Sequence, residues 1–296
     1  MSEKKMLSVL QTYNVETGER KVLRKFDEHI EAPNWSKDGT YLIYNSEGGI
    51  HRYDLKTGDS LHIYSGVCTR CNNDHVLSPD GKWIGISAGT AEDGWSKVWT
   101  MPIEGGAPKQ ITPLKPSYLH GISPDGKTLA YCADRNGNFD VYTIASDGSG
   151  EEVRLTTAEG LDDGPEYSPC GKYIWFNSVR SGLMQAWRMK ADGSEQTQMT
   201  DDDRNNWFPH VSPDGKLVVF VSYFKGDVAP GEPDVFAAPA NKNIEIRLMS
   251  AEGGAVRTLI ATDPARGELG GQGTMNVNSW APNSKEFAFV TYEFVD

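Results

Sequence analysis

The chain of 296 residues is 38% hydrophobic and 24% charged, and its 29 Lys and Arg face 41 Asp and Glu, for a formal charge of −12. That acidity argues against nucleic acid or an anionic membrane surface as a partner, and no run approaches the roughly 18 apolar residues of a spanning helix. Four cysteines in so long a chain do not make a disulfide framework, and the length and eight Trp suit one closed β domain over 1–296.

The start, Met1-Ser2-Glu3-Lys4-Lys5, carries charge with no apolar h-region behind it, which predicts a cytoplasmic protein, or a periplasmic one if a leader has been trimmed. Leu7 to Val15 and Arg20 to Lys25 read as strands joined at Glu16-Thr17-Gly18-Glu19. A tetrapeptide then recurs: Ser36-Lys37-Asp38-Gly39, Ser78-Pro79-Asp80-Gly81, Ser123-Pro124-Asp125-Gly126, Ser168-Pro169-Cys170-Gly171, Ser212-Pro213-Asp214-Gly215 and a degraded Ala281-Pro282-Asn283-Ser284. The first five serines stand roughly 42–45 residues apart, the period of a propeller blade. Pro's fixed φ and Gly's tolerance of positive φ make the tetrapeptide a tight turn. A β-rich run follows each copy, as in Tyr41 to Asn45 or Trp83 to Ser87, then an alternating strand, a Gly-containing turn and a fourth strand.

The prediction is an all-β fold, a six-bladed β-propeller of four-stranded antiparallel blades. The last repeat supplies only Asn276 to Pro282 and Glu286 to Glu293, so the N-terminal strands complete its blade and close the ring. The longer step before Ala281 holds an insertion over 225–243, rich in Gly, Pro, Ala and Asp and read as a long loop of blade five.

Ser-Pro-Asp-Gly-Lys, an apolar strand, an Asp-Gly hairpin, an aromatic strand and Arg-Leu-Thr together resemble the WD40-like (PD40) repeat of the TolB propeller over nearly the whole chain. Lead-ins such as Asn72-Asn73-Asp74-His75, Asn206-Trp207-Phe208-Pro209-His210 and Gly270-Gly271-Gln272-Gly273-Thr274-Met275-Asn276 are similar to the stand-alone bacterial TolB-like proteins, which lack the α/β N-terminal domain of TolB itself. The resemblance implies a rigid ring whose funnel face holds a peptide or protein segment. A similar repeat occurs in the oligogalacturonate lyases, which place a His-rich manganese site at the axis.

Counting back from each turn serine locates the residues nearest the axis. The third before it is Pro33, His75, His120, Pro165, Pro209 and Asn278; the second is Asn34, Val76, Gly121, Glu166, His210 and Ser279; the fifth is Glu31, Asn73, Tyr118, Asp163, Trp207 and Asn276. Imidazoles, acids and amides therefore crowd one mouth, where Pro or small residues would satisfy the fold. His75, His120 and His210 read as ligands for a divalent metal (Mn, Zn, Fe or Ni), or as catalytic acid and base with Glu166 beside them. Asn73, Tyr118, Asp163, Trp207, Gln272 and Asn276 read as ligand-binding residues, with the aromatics serving either as sugar platforms or as packing between blades.

Two functions follow. One is a polar funnel that binds a small carbohydrate-like molecule or a protein segment; the other is a metal-dependent carbohydrate lyase or hydrolase with its site at the axis. Cys68-x-x-Cys71 lacks the second ligand pair of a zinc site. Gly85-Ile86-Ser87-Ala88-Gly89 lies in a strand and lacks the following helix of a nucleophile elbow.

Overall fold

The computed structural model describes residues 5–226 and 242–295. Its first two strands, β1 (Lys5–Asn14) and β2 (Arg20–Phe26), form a hairpin that waits for the end of the chain. Blade one follows as β3 (Ile30–Trp35), β4 (Tyr41–Ser46), β5 (Gly49–Asp54) and β6 (Ser60–Ile63). Blade two is β7 (Cys68–Leu77), β8 (Trp83–Thr90), β9 (Lys97–Pro102) and β10 (Lys109–Gln110), and blade three is β11 (Ser117–Ile122), β12 (Thr128–Asp134), β13 (Phe139–Ala145) and β14 (Val153–Arg154). Blade four is β15 (Asp162–Tyr167), β16 (Tyr173–Ser178), β17 (Gln185–Lys190) and β18 (Thr197–Gln198); blade five is β19 (Arg204–Val211), β20 (Leu217–Phe224), β21 (Ile244–Ser250) and β22 (Arg257–Ala261). Each is a four-stranded antiparallel sheet in sequence order, so the fold is an all-β propeller of six blades.

The turn that punctuates each repeat is held by its own side chains. Ser78 Oγ accepts from Trp83 N at 3.0 Å and donates to Asp80 Oδ1 at 2.7 Å, and Asp80 Oδ1 also accepts from Lys82 N at 3.1 Å. Gly81 takes φ 70, which a side chain would resist. The same lattice recurs at Ser36, Ser123 and Ser212.

Blade six joins both ends of the chain. β23 (Glu268–Leu269) and β24 (Glu286–Val295) pair with each other, and β1 lies along β24 from Lys5 opposite Val295 to Asn14 opposite Glu286. The predicted inner strand over Asn276 to Pro282 does not form: only an isolated bridge joins Trp280 to Phe287. Asn278 Oδ1 accepts from Trp280 N at 3.0 Å, a local turn that competes with a ladder, and the segment leaves a 3-10 turn at Gln272–Thr274. The expected insertion over 225–243 lies outside the described residues except at its edges.

The core sits between neighbouring blades. A Cβ on Gly85 would meet Leu119 Cδ2 at 2.3 Å, and one on Gly121 would meet the Pro165 carbonyl oxygen at 2.6 Å. β8 of blade two therefore packs against the inner strand β11 of blade three, and β11 against the inner strand β15 of blade four, as closely as glycine allows.

Candidate functional site: two cavities on the axis

Every inner strand from β3 to β19 slips register midway, and the slip divides the axis into two levels. In blades one, four and five the slip falls at Ala32 (φ 53), Gly164 (φ 63) and Phe208 (φ 53), each followed by proline. Glu31, Asp163 and Trp207, before the slip, line one cavity; Asn34, Glu166 and Val211, after it, line another beside the turns. His120 borders both.

The first cavity, about 300 Å³, is acidic. His120 Nε2 lies 3.2 Å from Asp163 Oδ1 and 3.5 Å from Asp74 Oδ1, and its ring stacks on Phe208 at 5.6 Å and 18°. Burial lowers the His120 imidazole, but the two carboxylates outweigh it and the net shift is upward. Burial likewise opposes ionisation of Asp163, and the His120 contact turns the balance downward. Asp74 differs: burial pushes it up to about 6 despite His120 and a 2.6 Å bond from Asn276 Nδ2. One histidine thus serves two buried acids unequally. Asn73, Tyr118, Trp207 and Gln272 complete the walls with Glu31, whose Oε2 accepts from Asn45 Nδ2 at 2.9 Å.

The turn-side cavity, about 290 Å³, is bordered by Pro79, Pro124, Pro169, Pro213 and Pro282, with Lys37 where the sixth proline would stand. Glu166 organises its wall. Its Oε2 lies 2.6 Å from His210 Nδ1, and its Oε1 accepts from Asn278 Nδ2 at 2.6 Å and Val211 N at 3.1 Å. Asn34 extends the chain of contacts, donating to the Asn278 carbonyl at 2.6 Å and accepting from Leu77 N at 3.0 Å. These bonds tie blades one, two, four, five and six together around the axis.

The three histidines expected to share a metal stand in three different surroundings. His210 is bound to Glu166 and approaches the Met275 carbonyl at 3.2 Å, and His120 sits among acids. His75 is fully buried with no partner on either ring nitrogen, and burial holds its imidazole down at about 3. Among the described residues no cluster of three or more His, Cys, Asp or Glu is arranged to hold a metal ion. Asn73, Tyr118, Asp163, Trp207 and Gln272 do gather in one cavity, while Asn276 stands behind it and holds Asp74. Asp74 and Lys37 escaped the sequence reading. Asp74 is the fourth residue before its serine, where the other repeats carry Ala32, Leu119, Gly164, Phe208 and Val277, so its charge was the signal.

Ser87 Oγ accepts from Leu119 N at 2.7 Å, an interblade tie. Burial pushes the Cys68 and Cys71 thiols up to about 12 and about 11, away from thiolate chemistry.

The family profile described as the TolB beta propeller domain (PD40) matches residues 121–240. The uncharacterized protein Atu1656 of Agrobacterium fabrum is 45% identical over 288 residues, covering 97% of this chain and 93% of that protein. A solved TolB-like structure from Agrobacterium tumefaciens superposes with TM-score 0.88 at 44% identity, covering 97% and 98% of the two chains. The Tol-Pal system protein TolB of Francisella tularensis is 30% identical over 211 residues, which span 68% of this chain and 47% of TolB. Oligogalacturonate lyase in complex with manganese shares the fold alone, with TM-score 0.54, 15% identity and 88% and 75% coverage.

Proposed function

The chain belongs to the TolB-like β-propeller family, and from that premise we propose that it is a binding protein whose acidic axial cavity receives a small polar ligand. The observation that carries this reading is convergence. Residues from five of the six repeats, Glu31, Asp74, His120, Asp163 and Trp207, meet in one space of about 300 Å³, at the small end of ligand pockets. Carboxylates and amides beside the Tyr118 and Trp207 rings suit a polyhydroxylated or amino compound better than an apolar one. The test is a screen of sugars, sugar acids and amines followed by the Trp207 indole and Tyr118 ring signals in NMR. Perturbation of those two, abolished by Trp207→Leu, supports the reading; a screen in which neither moves refutes it.

A second reading makes the same cavity catalytic. It rests on His120, whose Nε2 faces one readily ionised carboxyl, Asp163, and one that holds its proton to about 6, Asp74. Such an unequal pair beside an imidazole suits proton transfer to or from a bound sugar. Turnover of a bound compound that disappears in His120→Gln while binding persists would establish it.

A further inference from the structure

We infer that the acidic cavity selects a small protonated amine that also carries a hydroxyl group, the chemistry of amino sugars and amino alcohols. This deepens the reading of the cavity as a ligand site and rests on it.

The first argument is charge. Glu31, Asp74 and Asp163 face the cavity, and the only basic group among the described residues lining it is the His120 imidazole. The undescribed segment 227–241 contains no Lys or Arg in its sequence, so it brings no cation of its own. Three other shielded acids carry guanidinium groups, Arg154 on Asp140 at 2.5 Å, Arg180 on Asp162 at 2.6 Å and Arg135 on Glu152 at 2.6 Å, while Glu166 is held by His210 and two N–H donors. Asp162 and Asp163 are neighbours in sequence, yet the first has its own arginine and the second shares a histidine with Asp74. Acids held in a low-dielectric space with too few cations favour a cationic guest.

The second argument is unmet hydrogen bonding. Trp207 lines the cavity while only 2% exposed, and its indole Nε1 has no partner. An ammonium cannot satisfy an indole N–H, because it has no lone pair to accept with. A hydroxyl both accepts and donates, so one beside the amine answers the Trp207 indole.

The third is shape. The rings of Tyr118 and Phe139, 6.2 Å apart and tilted by 31°, form an aromatic wall on the same cavity. Such a wall suits a cation's face or the C–H face of a sugar ring.

The test uses matched pairs in which an ammonium replaces a hydroxyl: glucosamine against glucose, and ethanolamine against ethylene glycol. Binding is followed at pH 7 and low salt by calorimetry and by the Trp207 indole signal. The amine of each pair should bind about tenfold tighter or better than its partner. Glu31→Gln and Asp163→Asn, each checked for an unchanged circular-dichroism spectrum, should erase most of that preference; Glu31→Gln keeps the question open should Asp163→Asn unfold. Equal affinity within each pair overturns the charge selectivity and leaves the small-ligand reading standing. Silence from every compound overturns both. A shift of the Trp207 signal with manganese alone, or with a lysine-containing peptide but not with the free amines, assigns the acids to another guest and overturns the inference.

Discussion

His210 Nδ1 lies 2.6 Å from Glu166 Oε2, so a histidine of blade five and a glutamate of blade four form one hydrogen-bonded unit beside the axis. Glu166 also receives Val211 N and Asn278 Nδ2, and Asn278 belongs to the blade that the two chain ends share. Glu166→Gln keeps the shape but replaces one acceptor oxygen with a donor. We expect it to cost about 2 kcal/mol, read as a lower urea midpoint at unchanged m-value. An unchanged midpoint would mean that this unit contributes nothing to holding the blades together.

Gly121 offers a purely steric test. Its φ lies outside the left-handed region, so an alanine would suffer from crowding alone, at 2.6 Å from the Pro165 carbonyl oxygen and 3.2 Å from Glu166 Cα, backbone atoms that cannot swing away. Gly121→Ala should destabilise by about 1–3 kcal/mol, whereas Gly215→Ala, with open space around its Cβ but φ 74, should act through backbone strain alone. Thermal melts of the two variants separate these causes.

Stability against pH should reveal two buried groups working in opposite directions. His75 titrates at about 3 in the folded chain, well below the ordinary histidine value of 6.5, so the unfolded chain binds the extra proton between them and stability falls as pH drops through that window. Asp74 is raised to about 6 from the ordinary 3.8, so the folded chain binds the extra proton and stability rises as pH falls from about 6 toward 4. Each contributes a slope of about 1.4 kcal/mol per pH unit inside its window. His75→Leu should therefore gain stability relative to the parent as pH falls from about 6 to 4, and Asp74→Asn should lose it. Parallel urea titrations at several pH values decide this; equal slopes in all three proteins would refute it.

Cys170 replaces the turn aspartate of blade four and is the one exposed cysteine of the four. Its neighbour Ser168 Oγ lies 3.4 Å from the sulfur and lowers the thiol's pKa. A thiol reagent should label one cysteine in the native protein and all four after unfolding. Cys170→Asp restores the side-chain lattice seen at Asp80 and should add about 0.5–1 kcal/mol.

Blade number, strand order and ring closure were legible because the turn chemistry repeats at a fixed step and hydrophobic runs follow it. The axis was legible only in part. Counting back from the turn serine treats His75 and His120 as equivalent, but their strands slip at different places. In β11 the slip falls at His120 itself, while in β7 it falls between Cys71 and His75, which leaves His75 paired in the ladder opposite Ile86. One imidazole consequently reaches the cavity, and the other is fully buried with neither ring nitrogen partnered. The same slip in β7 spends four residues against two of β8 and delivers Asp74 to the axis, at a position where the other repeats carry uncharged residues. Bulges depend on how neighbouring blades crowd one another, and that information is not local to any repeat.

The β1–β24 ladder also sets a schedule. Lys5 to Asn14 are synthesised before the five intervening blades, and their partners, Glu286 to Val295, after them. Until then β1 presents an unpaired edge on which the nascent ring cannot close. The latch that completes the sixth blade is therefore fastened only after the five blades between its two strands have been made, and a chain cut before β24 would be left as an open arc with two sticky ends.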